Sequence, residues 1–285
     1  MKKILCSLLF ISMIFTALAQ APFQTRNTAI TLEKGTFEFS AFACSRWGCG
    51  NKTELFTNPA ADWQLPHAGI KHLWYVKKAQ HQGGWFSKRN FYFSTRHIVD
   101  YPTMFFNSVQ KHKDWINDSI TVPGILTMSN EIRVSTFLKA ETSCSKPDFL
   151  FTLRGGLKKS FNFKDSDFMP VQRKLWYRET VVCCDTVVWF VGADIDFSIT
   201  DRLNLSADVD FYSVDWNVDD FSIENKIFVY GYFGMRHRLM AQAGIKTGYE
   251  TFDGDHCFFI LPMIDVSFFL KPKSGRQKGL FGDNM

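Results

Sequence analysis

Beyond residue 19 the sequence lacks any apolar run of about 18 residues, the length that a membrane-spanning helix requires. It also has no low-complexity tract and no linker rich in proline, glycine or serine, so we expect one large domain. The formal net charge is +5, and it falls to +3 once Lys2 and Lys3 are removed (5 − 2). A charge so close to balance argues against a nucleic-acid partner.

Catalytic and metal-binding motifs are missing too. The sequence has no G-x-S-x-G, H-E-x-x-H or P-loop pattern. It has no C-x-x-C pair of the kind that holds zinc. Asp253-Gly254-Asp255 lacks the remaining ligand positions of a calcium loop and instead predicts a hairpin turn. We therefore expect no enzymatic activity, no metal and no cofactor.

The first nineteen residues have the pattern of an export signal. Two lysines precede an apolar run that ends at Leu18, and Ala17-Leu18-Ala19 supplies a small-x-small cleavage site. We expect a signal peptide over residues 1–19 and a mature chain of 266 residues (285 − 19) that begins at Gln20.

Six cysteines follow the signal peptide, an even number in a chain exported to an oxidising compartment. They are Cys44, Cys49, Cys144, Cys183, Cys184 and Cys257. Cys44 and Cys49 flank a four-residue segment and are candidates for a disulfide that closes a loop, whereas the adjacent Cys183 and Cys184 need separate partners.

Residues 187–214 contain the clearest periodicity in the chain. Odd positions from Val187 to Ile199 and from Leu203 to Phe211 are apolar, and the even positions Asp194, Asp196, Asp208 and Asp210 are acidic. Thr200-Asp201-Arg202 separates the two stretches. Successive side chains of a strand point to opposite faces, so each stretch predicts a strand with one apolar and one polar face. Apolar faces of this length are typical of a membrane-spanning β-barrel.

The same alternation recurs along the chain, which is also rich in aromatic residues (16%, including 30 Phe). Eleven strands are predicted: 35–43, 52–57, 68–76, 89–97, 131–139, 149–158, 187–199, 203–214, 222–231, 239–249 and 257–270. Bacterial single-chain barrels have an even number of strands, so a twelfth is needed. Arg26 to Leu32, joined to the next strand by a turn at Glu33-Lys34-Gly35, is the best candidate.

The predicted fold is therefore all-β: an antiparallel up-and-down transmembrane β-barrel over residues 20–270, with about twelve strands and a polar tail at 271–285. A ten-stranded barrel is the alternative. The short turn at Thr200 falls on the side of both termini, the periplasmic side, and the long connections 98–129 and 159–186 fall on the other. Such long connections form packed surface loops, a constriction inside the lumen, or a lid.

The candidate site is a lumenal charge cluster, formed by Asp194, Asp196, Asp208, Asp210, Arg154, Lys158 and Lys226. One hairpin register places Asp194 opposite Asp208, and a shift by two residues places it opposite Asp210. Like charges across a strand pair are destabilising, so basic neighbours must offset the aspartates. The cluster is either a charged pore wall or ion site, or a structural salt-bridge network, and the second interpretation is favoured.

The signal peptide, the aromatic alternating strands and the final amphipathic strand, Phe258 to Phe269, together resemble outer-membrane β-barrel proteins of Gram-negative bacteria. The pattern from Thr31 to Glu38 looks like the start of uncharacterised barrels in that group. The resemblance implies that outer-membrane lipid and the barrel-assembly machinery are partners. That machinery recognises a terminal aromatic residue, whereas here the tail continues past Phe268-Phe269.

We expect a non-enzymatic outer-membrane barrel that acts as a small, porin-like pore for solutes or ions, or as a structural or binding scaffold. The oligomeric state is left open. One alternative is a barrel-embedded lipid-modifying enzyme, although none of the seven histidines is followed two residues later by serine, as in outer-membrane phospholipases. The other is a soluble secreted β-sandwich or adhesin with disulfides.

Overall fold

A computed structural model describes residues 25–58, 62, 66–79, 89–101, 125–138, 149–163, 187–200, 203–214, 219–233, 238–252 and 254–270. Within these ranges twelve strands form a closed antiparallel barrel, in which each strand pairs with its sequence neighbours and the first pairs with the last. No helix in the same ranges has the length and apolar character needed to cross a membrane.

The first three strands have four or five residues and the other nine have ten to sixteen. Their bounds are β1 Phe37–Ser40, β2 Ser45–Gly48, β3 Thr53–Thr57, β4 His67–Lys77, β5 Phe91–Asp100, β6 Ile125–Leu138, β7 Phe149–Asn162, β8 Val187–Ser198, β9 Leu203–Val214, β10 Phe221–Phe233, β11 Leu239–Phe252 and β12 Asp255–Leu270.

Side chains alternate between the lumen and the outer surface, as the period of two predicts. Charged and polar residues such as Asp196, Arg133 and Lys246 are fully buried inside the barrel. Large apolar residues such as Ile260 and Phe258 are exposed on the outside, at 59% and 65%. A soluble protein has the reverse arrangement, whereas outer-membrane barrels have a polar lumen and an apolar outer band. The predicted antiparallel barrel is confirmed, and the ten-stranded alternative is wrong.

Strand direction assigns the connections to two ends of the barrel. We call the end that holds Phe37 and Leu270 the terminal end, and the other the loop end. The short turn at Ile199 and Thr200 lies at the terminal end, as predicted, and closes through hydrogen bonds to the Leu203 carbonyl. The long connections after β5 and β7 begin at the loop end.

One strand was predicted in the wrong place. Residues 26–32 form no strand, and the twelfth strand is Ser45–Gly48, which the sequence periodicity missed. The backbone N–H groups of Ala29 and Leu32 donate to Ser135 Oγ and Glu54 Oε2, at 2.7 and 2.8 Å, and residues 28–32 are all buried. Because side chains satisfy these donors, the segment lies inside the barrel instead of joining its wall.

The predicted turn at Glu33-Lys34-Gly35 exists, but it links this interior segment to β1. Thr36 N donates to Glu33 O at 3.0 Å, and Gly35 has a φ of 77°, which favours glycine. The turn passes so close to β2 that a Cβ on Gly48 would lie 2.1 Å from Glu33 O. Two glycines therefore let the chain leave the lumen and enter the wall.

The proposed disulfide between Cys44 and Cys49 is wrong. Both thiols are free, and strand β2 separates them. Five extended steps span roughly 16 Å at about 3.3 Å each, well beyond the limit of about 7 Å between Cα atoms that a disulfide allows.

Several predictions lie outside the described residues. They are the signal peptide at 1–19, the tail at 271–285, the pairing of Cys144, Cys183 and Cys184, and the long connections over 102–124 and 164–186. At the edges of these connections, β5 extends to Asp100, β6 begins at Ile125 and β7 extends to Asn162, so the strands are longer than periodicity predicted.

Candidate functional site

Residues 25–32, which we call the lumenal segment, cross the interior of the barrel. Ala29 and Ile30 are 0% and 2% exposed and pack against buried residues of β4 to β7, including Leu73 and Leu150. Leu32 packs on the opposite side, in a cluster formed with residues of β10, β11 and β12. The segment therefore contacts both sides of the lumen.

Arg26 anchors this segment to the place where the barrel closes. Its guanidinium donates to Glu38 Oε1 at 2.5 and 3.0 Å, to Asp265 Oδ2 at 2.8 Å and to Ser267 Oγ at 2.5 Å. Glu38 belongs to β1, and the other two partners belong to β12. Charge-assisted hydrogen bonds of this kind are about twice as strong as neutral ones. Arg26 thus connects the first strand, the last strand and the lumenal segment.

Main-chain carbonyls of the lumenal segment accept bonds from two buried cations of the wall. Lys71 Nζ donates to Thr25 O at 2.9 Å, and Arg133 Nη1 donates to Arg26 O at 2.6 Å. Arg133 also binds Glu131 at 2.8 Å. The segment is therefore held by β4 and β6 as well as by β1 and β12, whose pairing closes the barrel.

A second buried network lies beside it on β1, β2 and β3. Arg46 is paired with Glu38 and lies 3.3 Å from Glu54, and Lys71 lies 3.4 Å from the same Glu54 oxygen. Each of these ions is at most 4% exposed, so each carboxylate needs its cation to offset lost hydration. Periodicity placed Glu38 and Lys71 on the polar faces but did not predict that they would pair.

The lumenal charge cluster forms around the hairpin register with Asp194 opposite Asp208. Arg154, from β7, donates to both oxygens of Asp210 at 2.7 and 2.6 Å. Its guanidinium also lies 3.4 Å from Asp208. Lys226, from β10, lies 3.2 Å from Asp208 and 3.6 Å from Asp210. Cations from both flanking strands thus neutralise two of the four aspartates.

The other two aspartates contact hydroxyl groups nearer the terminal end. Ser206 Oγ lies 3.5 Å from Asp194, and Tyr230 OH donates to Asp196 at 3.2 Å. Lys158 is directed elsewhere: its Nζ lies over the rings of Phe190 and Tyr212, at 5.1 and 4.9 Å from their centroids. The structure therefore brings together six of the seven predicted residues and places Lys158 in a cation–π site.

Gly192 makes room for the Arg154–Asp210 pair. A Cβ on Gly192 would lie 2.0 Å from Asp210 Oδ1 and 3.0 Å from Arg154 Nε. The ion pair therefore occupies the position that a side chain would otherwise take. This glycine directly precedes the acidic even positions Asp194 and Asp196, and its missing side chain is the sequence signal that could have indicated the pair.

The cluster has the chemistry of a structural network, because its carboxylates are paired with side chains of the wall. No group of three or more metal-ligating side chains is found in the part of the chain that the structure describes. Its ion pairs connect β7 to β9 across β8, and β9 to its neighbour β10.

No protein-family model matches this chain, and no curated protein matches it. Among solved structures it is similar to the crystal structure of Acinetobacter baumannii OccAB4, with 10% sequence identity and a TM-score of 0.36. The alignment covers 80% of this chain and 52% of the other, so the chain spans about half the length of the structure it matches. A likeness at this level assigns no function.

Replacing Gly192 with alanine should separate Arg154 from Asp210. We expect the free energy of unfolding in detergent to fall by about 1–3 kcal/mol, because the added methyl group overpacks the site. Gly155→Ala on β7 is the matched control, since its Cβ would meet only Phe190 O, at an ordinary 3.4 Å. Equal urea midpoints for the two variants would contradict the role given to Gly192.

Proposed function

We propose that this protein is an outer-membrane β-barrel with a closed lumen, which acts as a membrane scaffold and not as an open pore. The observation that carries the proposal is the lumenal segment, which contacts both sides of the interior and is bonded to the wall through Arg26, Lys71 and Arg133.

The outer surface supports the membrane location. Ile132, Leu153, Ile227 and Ile264 are between 50% and 56% exposed, and they lie on different strands around the barrel. Soluble proteins seldom expose continuous apolar patches larger than a few hundred Å². Surface of this kind is stable against lipid tails, and a closed barrel leaves no strand edge unpaired within them.

Burial supports the closed state of the lumen. The backbone and side chains of Thr28, Ala29 and Ile30 have almost no exposed surface. Withdrawing the segment would expose these apolar groups and remove Arg26 from the buried carboxylates of Glu38 and Asp265. Breaking buried ion pairs costs about 3–5 kcal/mol when one partner is left unpaired, so the filled lumen is the favoured resting state.

Cell fractionation and gel mobility test the membrane location. We expect the full-length protein in the outer-membrane fraction, with faster migration in unboiled than in boiled detergent samples, because a closed barrel stays compact until it is heated. A product that is soluble without detergent and migrates identically in both samples would support the secreted β-sandwich instead.

Planar-bilayer recordings test the closed lumen. The wild-type protein should show little steady conductance, whereas deletion of residues 25–32 should produce stable open-channel steps because it removes the material that fills the lumen. Unboiled gel mobility identifies folded preparations for both proteins.

Arg26→Ala is a smaller change for the same test, and Lys34→Ala is its control. Lys34 is an exposed cation of the following turn. We expect brief openings in Arg26→Ala and none in Lys34→Ala. Steady wild-type conductance equal to that of the deletion would contradict the closed scaffold.

A gated pore for small solutes or ions is the second candidate function, favoured by the polar lumen. Asp194 and Asp196 are buried on the lumenal wall, and each accepts a hydrogen bond from a hydroxyl group. Moving the lumenal segment would make them part of a water-filled wall.

In the barrel that lacks residues 25–32, Asp194→Asn should lower the cation-to-anion permeability ratio. Asp208→Asn should lower it as well, because it leaves the charges of Lys226 and Arg154 less compensated. Asp219→Asn, at an exposed position outside the strands, is the control. Unchanged reversal potentials in both lumenal variants would argue against a charged pore wall.

A further inference from the structure

We propose that Cys44, His67 and Asp100 form a nucleophilic thiol site at the loop end of the barrel, which accepts an acyl group from small esters. The inference goes beyond the scaffold function and concerns the barrel with the lumenal segment in place.

Three separate connections bring these residues together. Cys44 ends the connection between β1 and β2, His67 is the first residue of β4, and Asp100 is the last residue of β5. All three positions lie at the loop end, because β1 and β5 run towards it and β4 runs away from it. Their separation in sequence, 23 and 33 residues, explains why no motif search could find them.

The imidazole lies between the thiol and the carboxylate. His67 Nε2 is 3.6 Å from Cys44 Sγ, and His67 Nδ1 is 2.5 Å from Asp100 Oδ1. A nucleophile within reach of a base, which a third group orients in turn, is the arrangement of cysteine and serine acyl-transfer sites. Asp100 holds the ring so that Nε2 faces sulfur.

The same geometry argues against a metal centre. Asp100 binds one nitrogen of the ring, and Cys44 lies by the other, so the three groups do not converge on one point. Among the described residues, no group of three His, Cys, Asp or Glu side chains is placed to hold an ion.

A lumenal cavity of about 80 Å³ gives access to the thiol. Its lining includes Cys44, His67 and Asp100, and Arg26 and Asn27 of the lumenal segment. The cations in this lining are already paired with carboxylates: Arg26 and Arg46 with Glu38, Lys71 with Glu54, Arg96 with Glu131, and Lys226 with Asp208. We therefore expect small esters to react without a preference for charge.

The surroundings also favour the thiolate. Burial by itself would raise the pKa of Cys44, but the hydrogen bond to His67 and the positive charges of His67, Arg96 and Arg26 hold that pKa below its ordinary value. A thiolate, and not a thiol, is the attacking species in such reactions.

The proposed step transfers an acyl group from an ester to sulfur. His67 takes the thiol proton, Sγ attacks the ester carbonyl carbon, and the bond from that carbon to the alcohol oxygen breaks. The alcohol leaves with the proton from His67, and a thioester on Cys44 remains. Water, deprotonated by His67, then cleaves the thioester to a carboxylic acid and restores the thiol.

Cys49 is the internal control for reactivity. It is also half-buried, but it lies at the other end of β2, and its Sγ contacts the Thr53 carbonyl at 3.6 Å instead of a histidine. The two thiols have different partners, and both are measured in the same protein sample, so their rates can be compared directly.

The test uses full-length protein in detergent, with adducts at each cysteine measured by peptide mass spectrometry at pH 7. The probe is 4-nitrophenyl acetate. We expect Cys44 to be acylated at least about tenfold faster than Cys49. His67→Gln should reduce the Cys44 rate to that of Cys49 and leave Cys49 unchanged.

Asp100→Asn should lower the Cys44 rate without removing the thiol. Unboiled gel mobility and the constant Cys49 rate show that each variant is folded. Equal rates at Cys44 and Cys49, or a Cys44 rate unaffected by His67→Gln, would overturn the site. Fast alkylation of Cys44 by iodoacetamide without acylation would overturn the acyl-transfer assignment.

Discussion

One guanidinium, that of Arg26, hydrogen-bonds a carboxylate on the first strand of the barrel and another on the last. The contact between β1 and β12 is short, with four residue pairs against thirteen between β10 and β11. A barrel that opened there would leave backbone N–H and C=O groups facing lipid, which cannot satisfy them. The bonds of Arg26 to Glu38 and Asp265 strengthen the contact on which closure depends.

The position of this arginine links closure of the wall to filling of the lumen. Arg26 reaches both strands from inside, so the chain around it must lie in the interior. Ile30 and Leu32 then fill the space between opposite walls. Because Glu38 and Asp265 are buried, the segment cannot leave without removing a cation that offsets their lost hydration. The stability of the seam and the closed state of the lumen therefore have a common cause.

Alternation predicted eleven strand positions because each long strand has one face on the lumen and the other on the outer surface, and the lumenal positions of Arg154, Lys226 and the facing aspartates followed from the same rule. It failed at Ser45–Gly48, because Ser45, Arg46 and Gly48 are all buried there and only Trp47 is exposed. It also failed at 26–32, because a segment inside a polar lumen meets side chains of both kinds. Charge matching alone also could not predict the position of Lys158, whose ammonium group lies over the rings of Phe190 and Tyr212. Cys44, His67 and Asp100 lie at strand ends, where periodicity carries no information about contacts between distant connections.

The cysteine site and the filled lumen meet at Arg26. Its side chain lines the cavity below Cys44, and its positive charge contributes to the lowered pKa of that thiol. Displacement of the lumenal segment would therefore open the barrel and, at the same time, remove the floor of the cavity and part of its positive potential. With the lumenal segment in place, the lumen is closed and Cys44 is reactive; with the segment displaced, the lumen is open and Cys44 loses its reactivity. The two states are coupled because one side chain, that of Arg26, binds carboxylates on β1 and β12 and also lines the cavity at Cys44.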